Sequence, residues 1–264
     1  MTAIVSCGRA AALALAVGMS LSSAAVADEA DARNRLKAMF AYMNAQTNIG
    51  FQYDANLEVV TKDQQRLSLA SSGVVTLARP DKIRATRSGG FVDVETVFDG
   101  KTLTVLGKNK NLYVQVETPG TLEHLIDELK DKYHRPLPAA DLLLPNGYDE
   151  LMRDVTDVKD LGSGVIGGTE CDFFAFRSKE VDWQIWIAQG DRPYPCRFVI
   201  TSKLITGNPQ YSIQPRDWKF GTAAAAGDFS FKPPAGARKI DMKELSEMKD
   251  MGELPSHFAI EGGR

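Results

Sequence analysis

The chain has 264 residues, 44% hydrophobic and 25% charged, with a formal net charge of −3 at pH 7. This balance is that of a globular protein with one large domain or two small ones, and it excludes a disordered or disulfide-dense chain. The mild acidity argues against the basic footprint of a nucleic-acid binder.

The first 27 residues read as a secretory signal. Arg9 precedes an apolar run at 10–19, and the small residues Ala25-Val26-Ala27 close the segment. A positive start, an apolar centre and an A-x-A ending mark a cleavable signal peptide. The apolar centre is about half the length that a bilayer span needs. We therefore expect cleavage after Ala27 and a periplasmic product without a stable membrane anchor. Cys7 lies before the apolar run, whereas a lipid-modified cysteine would follow it.

Residues 31–48 carry Leu36, Met39, Phe40 and Met43 at helical spacing, which predicts an amphipathic helix. After Gly50 the period becomes two: Phe51, Tyr53, Ala55, Leu57 and Val59 alternate with Gln52, Asp54, Asn56 and Glu58. That is a half-buried strand. Strand-like runs follow at 67–77, 82–88, 91–98, 102–107 and 112–117, and the Asp99-Gly100 pair between two of them is a hairpin signal. Pro119-Gly120 ends this meander. Thr121 then caps a helix bearing Leu122, Leu125, Ile126 and Leu129, and two short apolar helices follow at 139–144 and 148–154. Strands resume at 155–161, 168–177, 182–188, 196–204 and 211–220, and Phe229-Ser230-Phe231 reads as a short closing strand. The expected organisation is a single domain over 28–240 and a loosely held tail over 241–264.

Little of this points to catalysis. His124, His134 and His257 share no metal-pair spacing, and no nucleophile elbow, P-loop or H-E-x-x-H occurs. Gly162-Ser163-Gly164 with Gly167-Gly168 reads as a turn, because it opens no helix. His124 with Glu123 and Asp127 reads as an exposed helical face. We expect no metal, no cofactor and no enzymatic activity.

The surplus lies in apolar side chains. Val181, Trp183, Ile185 and Ile187 share one strand face; Trp186 and Ala188 stand on the other with Asp182 and Gln184, and Leu142-Leu143-Leu144 add further bulk. A well-filled core accounts for them, as does a curved sheet and apolar lid around a hydrophobic ligand. On the second reading the cavity residues are Leu125, Leu129, Leu143, Leu144, Trp183 and Trp186. An oxidising compartment favours a disulfide between Cys171 and Cys196. Strand counting opposes it, since two strand spacings, about 9.5 Å, exceed the reach of a bridge, about 7 Å between Cα atoms. A bend at Pro193 and Pro195 would close that gap. The expectation is a structural bridge, with two buried thiols as the alternative.

Several stretches carry a resemblance. They are Arg79-Pro80-Asp81-Lys82-Ile83-Arg84, Phe98-Asp99-Gly100-Lys101, Pro138-Ala139-Ala140-Asp141-Leu142-Leu143-Leu144, Asp182-Trp183-Gln184-Ile185-Trp186-Ile187 and 229–237. Over roughly 30–240 the chain resembles the domain-of-unknown-function 2092 family of predicted periplasmic proteins, which in turn looks like the LolA/LolB lipoprotein-carrier fold. The resemblance implies a mainly β fold: an unclosed antiparallel half-barrel with helices over its concave apolar face. It implies a carrier-like binding protein that accommodates acyl chains, a lipid or a lipidated protein. Regulators of envelope stress share the fold, so a periplasmic protein partner is the alternative. Arg84 lies within a matching motif but receives no role from it.

Overall fold

The computed structural model describes residues 24–133, 137–224, 227–241 and 244. Most of the expected signal segment, His134, His257 and nearly all of the expected tail lie outside these residues.

Helix α1 (Ala24–Asn44) comes first. Ala32, Leu36, Met39, Phe40 and Met43 recur at helical spacing, and all are at most 3% exposed. The helix stops short of residue 48 because Asn48 already belongs to a strand. Strands β1 (Asn48–Val60), β2 (Arg66–Ala78), β3 (Lys82–Gly89), β4 (Asp93–Phe98), β5 (Thr102–Gly107) and β6 (Leu112–Glu117) form an antiparallel meander. A helical block follows, with α2 (Leu122–Asp127) and α3 (Gly147–Met152). A second meander comprises β7 (Asp157–Ile166), β8 (Thr169–Arg177), β9 (Val181–Ala188), β10 (Pro195–Ser202) and β11 (Gln210–Phe220).

The two meanders join where β1 pairs with β11, and a short β12 (Arg238–Lys239) adds to β6. The result is one sheet of order β12-β6-β5-β4-β3-β2-β1-β11-β10-β9-β8-β7. Its two edge strands, β12 and β7, do not pair, so the barrel is unclosed. Strand β1 shows the logic of the faces. Phe51, Tyr53 and Ala55 are buried on the inner side, whereas Gln52, Asp54 and Asn56 are exposed on the outer one. At the Asp99-Gly100 hairpin the Asp99 carboxylate accepts the N–H groups of Lys101 and Thr102 at 2.9 and 2.8 Å, and Gly100 takes φ +94°.

Two expectations need correction. Phe229-Ser230-Phe231 is not a strand; the closing strand is β12, which runs parallel to β6. The segment instead crosses the outer face as a strap. Arg84 donates to the carbonyls of Asp228 and Ser230 at 2.7 and 3.3 Å while its Nε bonds Glu95 at 2.7 Å. Phe231 packs on Tyr113, and Asn111 donates to the Ala235 carbonyl. Side-chain donors thus replace a backbone ladder, and Pro233 and Pro234 have no N–H to give one. Gly162-Ser163-Gly164 also lies inside β7, where Gly162 at φ +82° sits in a bulge and donates to the Asp160 carboxylate at 2.7 Å. The β7–β8 turn is Gly167-Gly168.

Candidate functional site

The helical block covers the inner face of the sheet. Thr121 caps α2 by accepting the His124 N–H at 3.3 Å, and the Leu122 N–H bonds the Pro80 carbonyl at 2.9 Å. The chain then continues through a π-helical turn (Glu128–Lys132) and a 3-10 turn (Ala140–Leu143) to α3. Each piece is six residues or fewer, so the cover is segmented. Its inner side is apolar: Leu122, Leu125, Leu142 and Leu144 are buried, and Leu129 and Leu143 pack half-buried against the core. Tyr148 of α3 meets Phe40 of α1 edge-on at 6.3 Å, and Asn44 donates to the Pro145 carbonyl at 2.9 Å.

The sheet supplies the opposing wall. Trp183 stacks on Phe176 at 3.8 Å and contacts Phe198 at 5.7 Å, and it is 3% exposed. Toward the α1–β1 junction, Trp218 lies 4.4 Å from Phe51 and stacks on Phe220 at 5.6 Å, with Tyr42 and Tyr194 beside them. Sequence reasoning missed Trp218 because the β1–β11 pairing is bulged there, with Asp217 at φ +54°. A strict two-residue period from Tyr211 would turn Asp217 inward; the bulge turns Trp218 and Phe220 inward instead.

Five of the six expected cavity residues, Leu125, Leu129, Leu143, Leu144 and Trp183, therefore belong to one apolar cluster. Trp186 does not. It lies on the outer face, stacked on Phe173 at 4.0 Å with the Arg197 guanidinium 5.6 Å from its ring. Strand parity puts consecutive positions on opposite faces, and Trp183 and Trp186 differ by an odd number.

The space between sheet and cover is filled by side chains rather than open: Leu36, Met39, Met43, Ile185 and Ile187 are fully buried. An open cleft of about 640 Å³ lies elsewhere, between α1 and β7–β8, lined by Asp31, Asn34, Arg35, Asp160, Ser163 and Asp172 among others. Its lining mixes these polar side chains with Ala38 and Phe174, and Arg35 crosses it to Asp172 at 2.7 Å and to the Ala188 carbonyl at 2.6 Å. What the cover leaves unfinished is apolar. Leu57, Leu69, Ile200, Tyr211 and Ile213 stand on the inner side, paired across strands with core positions or with one another, and Val181 shares the inner side of β9 with Trp183, yet all six are only half-buried.

The expected disulfide is absent. Cys171 on β8 and Cys196 on β10 are free, buried thiols that flank Ala188 of β9. A whole strand lies between their backbones, and each thiol donates to the carbonyl two residues before it, Cys171 to Thr169 at 3.4 Å and Cys196 to Tyr194 at 3.9 Å. The neighbouring Cys171, then burial, pushes the Cys196 thiol up, whereas the neighbouring Cys196 lowers that of Cys171. No group of three or more His, Cys, Asp or Glu is gathered to hold a metal among the described residues. No helix among them is long and apolar enough to cross a membrane.

This is a mostly β architecture: an unclosed sheet whose inner face carries a segmented helical cover. The chain belongs to the family described as predicted periplasmic protein (DUF2092), which matches residues 32–243. No curated protein matches it. Among solved structures it is similar to LprF from Mycobacterium bovis, at 12% identity over 78% of this chain and 99% of that one, TM-score 0.49. It is also similar to an uncharacterized conserved protein from Thermus thermophilus, at 14% identity over 80% and 99%, TM-score 0.46. A LolA superfamily protein from Nitrosomonas europaea is similar at 10% identity over 72% and 93%, TM-score 0.31.

Proposed function

We propose that this is a non-enzymatic periplasmic binding protein that accommodates an acyl chain, of a lipid or a lipidated protein, along the inner face of the sheet. One observation carries the reading: that apolar face continues past its cover, leaving Leu57, Leu69, Ile200, Tyr211 and Ile213 half-buried. Apolar side chains left partly open along one face of a sheet are a surface on which an acyl chain could settle. An acyl chain would seat first on this strip and then push between sheet and cover, displacing Leu129 and Leu143 and reaching Trp183. About ten buried methylenes contribute on the order of 8 kcal/mol before ordering costs. That corresponds to micromolar-class binding at best, suited to a protein that must release what it carries. Cleavage after Ala27 and export belong to the same proposal.

Single-tryptophan variants test it. The chain has three Trp residues. With only Trp183 retained, fluorescence is expected to shift on titration with a soluble fatty acid; with only Trp186 retained, it is expected to stay constant. A silent Trp183, or a response confined to Trp186, refutes the assignment.

A further inference from the structure

The described chain ends on the inner face of the sheet. Strand β12 runs along β6, with the Arg238 and Ile240 N–H groups on the carbonyls of Asn111 and Tyr113 at 3.0 and 2.9 Å. Ile240 turns inward and is buried against Leu112 and Val114, in a cluster that Val105 joins to the main core. The Asp241 carboxylate then accepts the Glu244 N–H at 2.7 Å, which is the N-cap bond of a helix, and Arg238 pairs with Glu244 at 2.8 Å. From that cap the sequence predicts an amphipathic helix. Met242, Leu245, Met248 and Met251 recur at helical spacing before Gly252 and Pro255 stop the pattern, and Leu254, Phe258 and Ile260 follow.

This exit lies at the same end of the sheet as the half-buried Leu57 and Leu69: β6 begins there at Leu112, β3 ends there at Gly89, and β1 ends there at Val60. Leu69 stands four strands on from β6, about 19 Å across the sheet. Val105, Val94 and Arg87 face inward along the way, each half-buried, and Arg87 donates to Ser71 at 3.3 Å. A helix over 242–251 would span about 15 Å of that path, and the residues after it reach the rest. Residues 245–264 carry four acids to two bases, which suits a course past Arg87. We infer that residues 245–260 of this same chain lie along the inner face, covering the strip at Leu69 and Leu57, and that an acyl chain enters by displacing them. Only the displacement rests on the acyl-binding role proposed above. Methionine side chains mould to irregular apolar surfaces, and a loosely held tail is what a removable cover requires.

Photo-cross-linking of the full processed chain tests the inference. With p-benzoylphenylalanine in place of Leu69, the expected product is a link within one chain to 245–260, located by peptide mass spectrometry and suppressed by soluble fatty acid. With the same residue in place of Val74, which points outward from the same strand, no link to that segment is expected. Links from position 69 that go elsewhere in the chain overturn the inference, as do links that join two chains and so make a second copy the occupant. The triple variant Leu245→Ser, Met248→Ser, Met251→Ser is expected to lose the link. It is also expected to bind fatty acid about tenfold more tightly at Trp183, the gain when a competitor that closes about nine sites in ten is removed. Unchanged affinity overturns the displacement. The two readings fail separately. A Trp183 response without a tail link overturns the inference and leaves the acyl role standing, whereas a tail link with Trp183 silent in both chains supports the seating of the tail and refutes the acyl role.

Discussion

Gly147 tests how tightly the cover is seated. It opens α3, and a Cβ added there would collide with the Asp141 carbonyl oxygen and lie 2.5 Å from the Phe40 ring. The first obstacle is backbone and the second a side chain only 3% exposed, so neither gives way without moving α3 off α1. Overpacking of this kind costs about 1–3 kcal/mol, whereas alanine in place of glycine inside a helix gains up to about 1 kcal/mol. The gain is smaller at a first helical position, so Gly147→Ala is expected to destabilise by about 2 kcal/mol. In a chain of this size that lowers the melting temperature by about 4–8 °C. Thermal unfolding followed by circular dichroism measures it. The sign decides: a melting temperature that rises, as helix propensity alone dictates, refutes the close seating of α3. A lifted cover should also admit fatty acid faster.

Arg84→Ala removes the donors that hold the strap and leaves Glu95 without its 2.7 Å partner. We expect a loss of about 1–3 kcal/mol and faster hydrogen exchange across 227–237; unchanged exchange there would show that the strap is held by other contacts. Burial, then Glu150, raises the Asp141 carboxyl above its ordinary 3.8. Its ionisation therefore opposes folding fully at neutral pH, and the penalty fades as pH falls through the raised value toward 3.8. Asp141→Asn is expected to raise the melting temperature at neutral pH with a gain that vanishes below that window, and a gain equal at all pH values counts against burial as the cause. Thiol titration in denaturant without reductant should find both Cys171 and Cys196 reactive, and little reaction in native buffer because both are buried. Absence of free thiols in denaturant would contradict the unbridged pair.

The sequence was most readable where local pattern and burial agree. The alternation from Phe51 to Val59 and the spacing of Leu36, Met39, Phe40 and Met43 need only the two periods of strand and helix, and both faces are where those periods put them. Bulges defeated the same rule at Trp218 and within β7, because one extra residue reverses every later side chain and leaves no mark in composition. Phe229-Ser230-Phe231 alternates like a strand, but its anchor, Arg84, lies far away in the sequence. Trp186 was weighed by its size, and its parity with Trp183 already placed it on the other face. Whether the inner face is open or filled was also beyond local reading. That depends on how deeply Leu36, Met39 and Met43 of α1 penetrate, a property of packing between distant elements.

Native mass spectrometry of protein gently purified from periplasm tests the central claim most directly. The expected result is a polypeptide mass that begins at Asp28, a fraction carrying a lipid-sized adduct, and loss of that adduct in a variant with Leu57, Leu69 and Ile200 changed to Ser. An apo mass throughout, joined to a Trp183 signal that ignores added fatty acid, would contradict acyl-chain binding on the inner face.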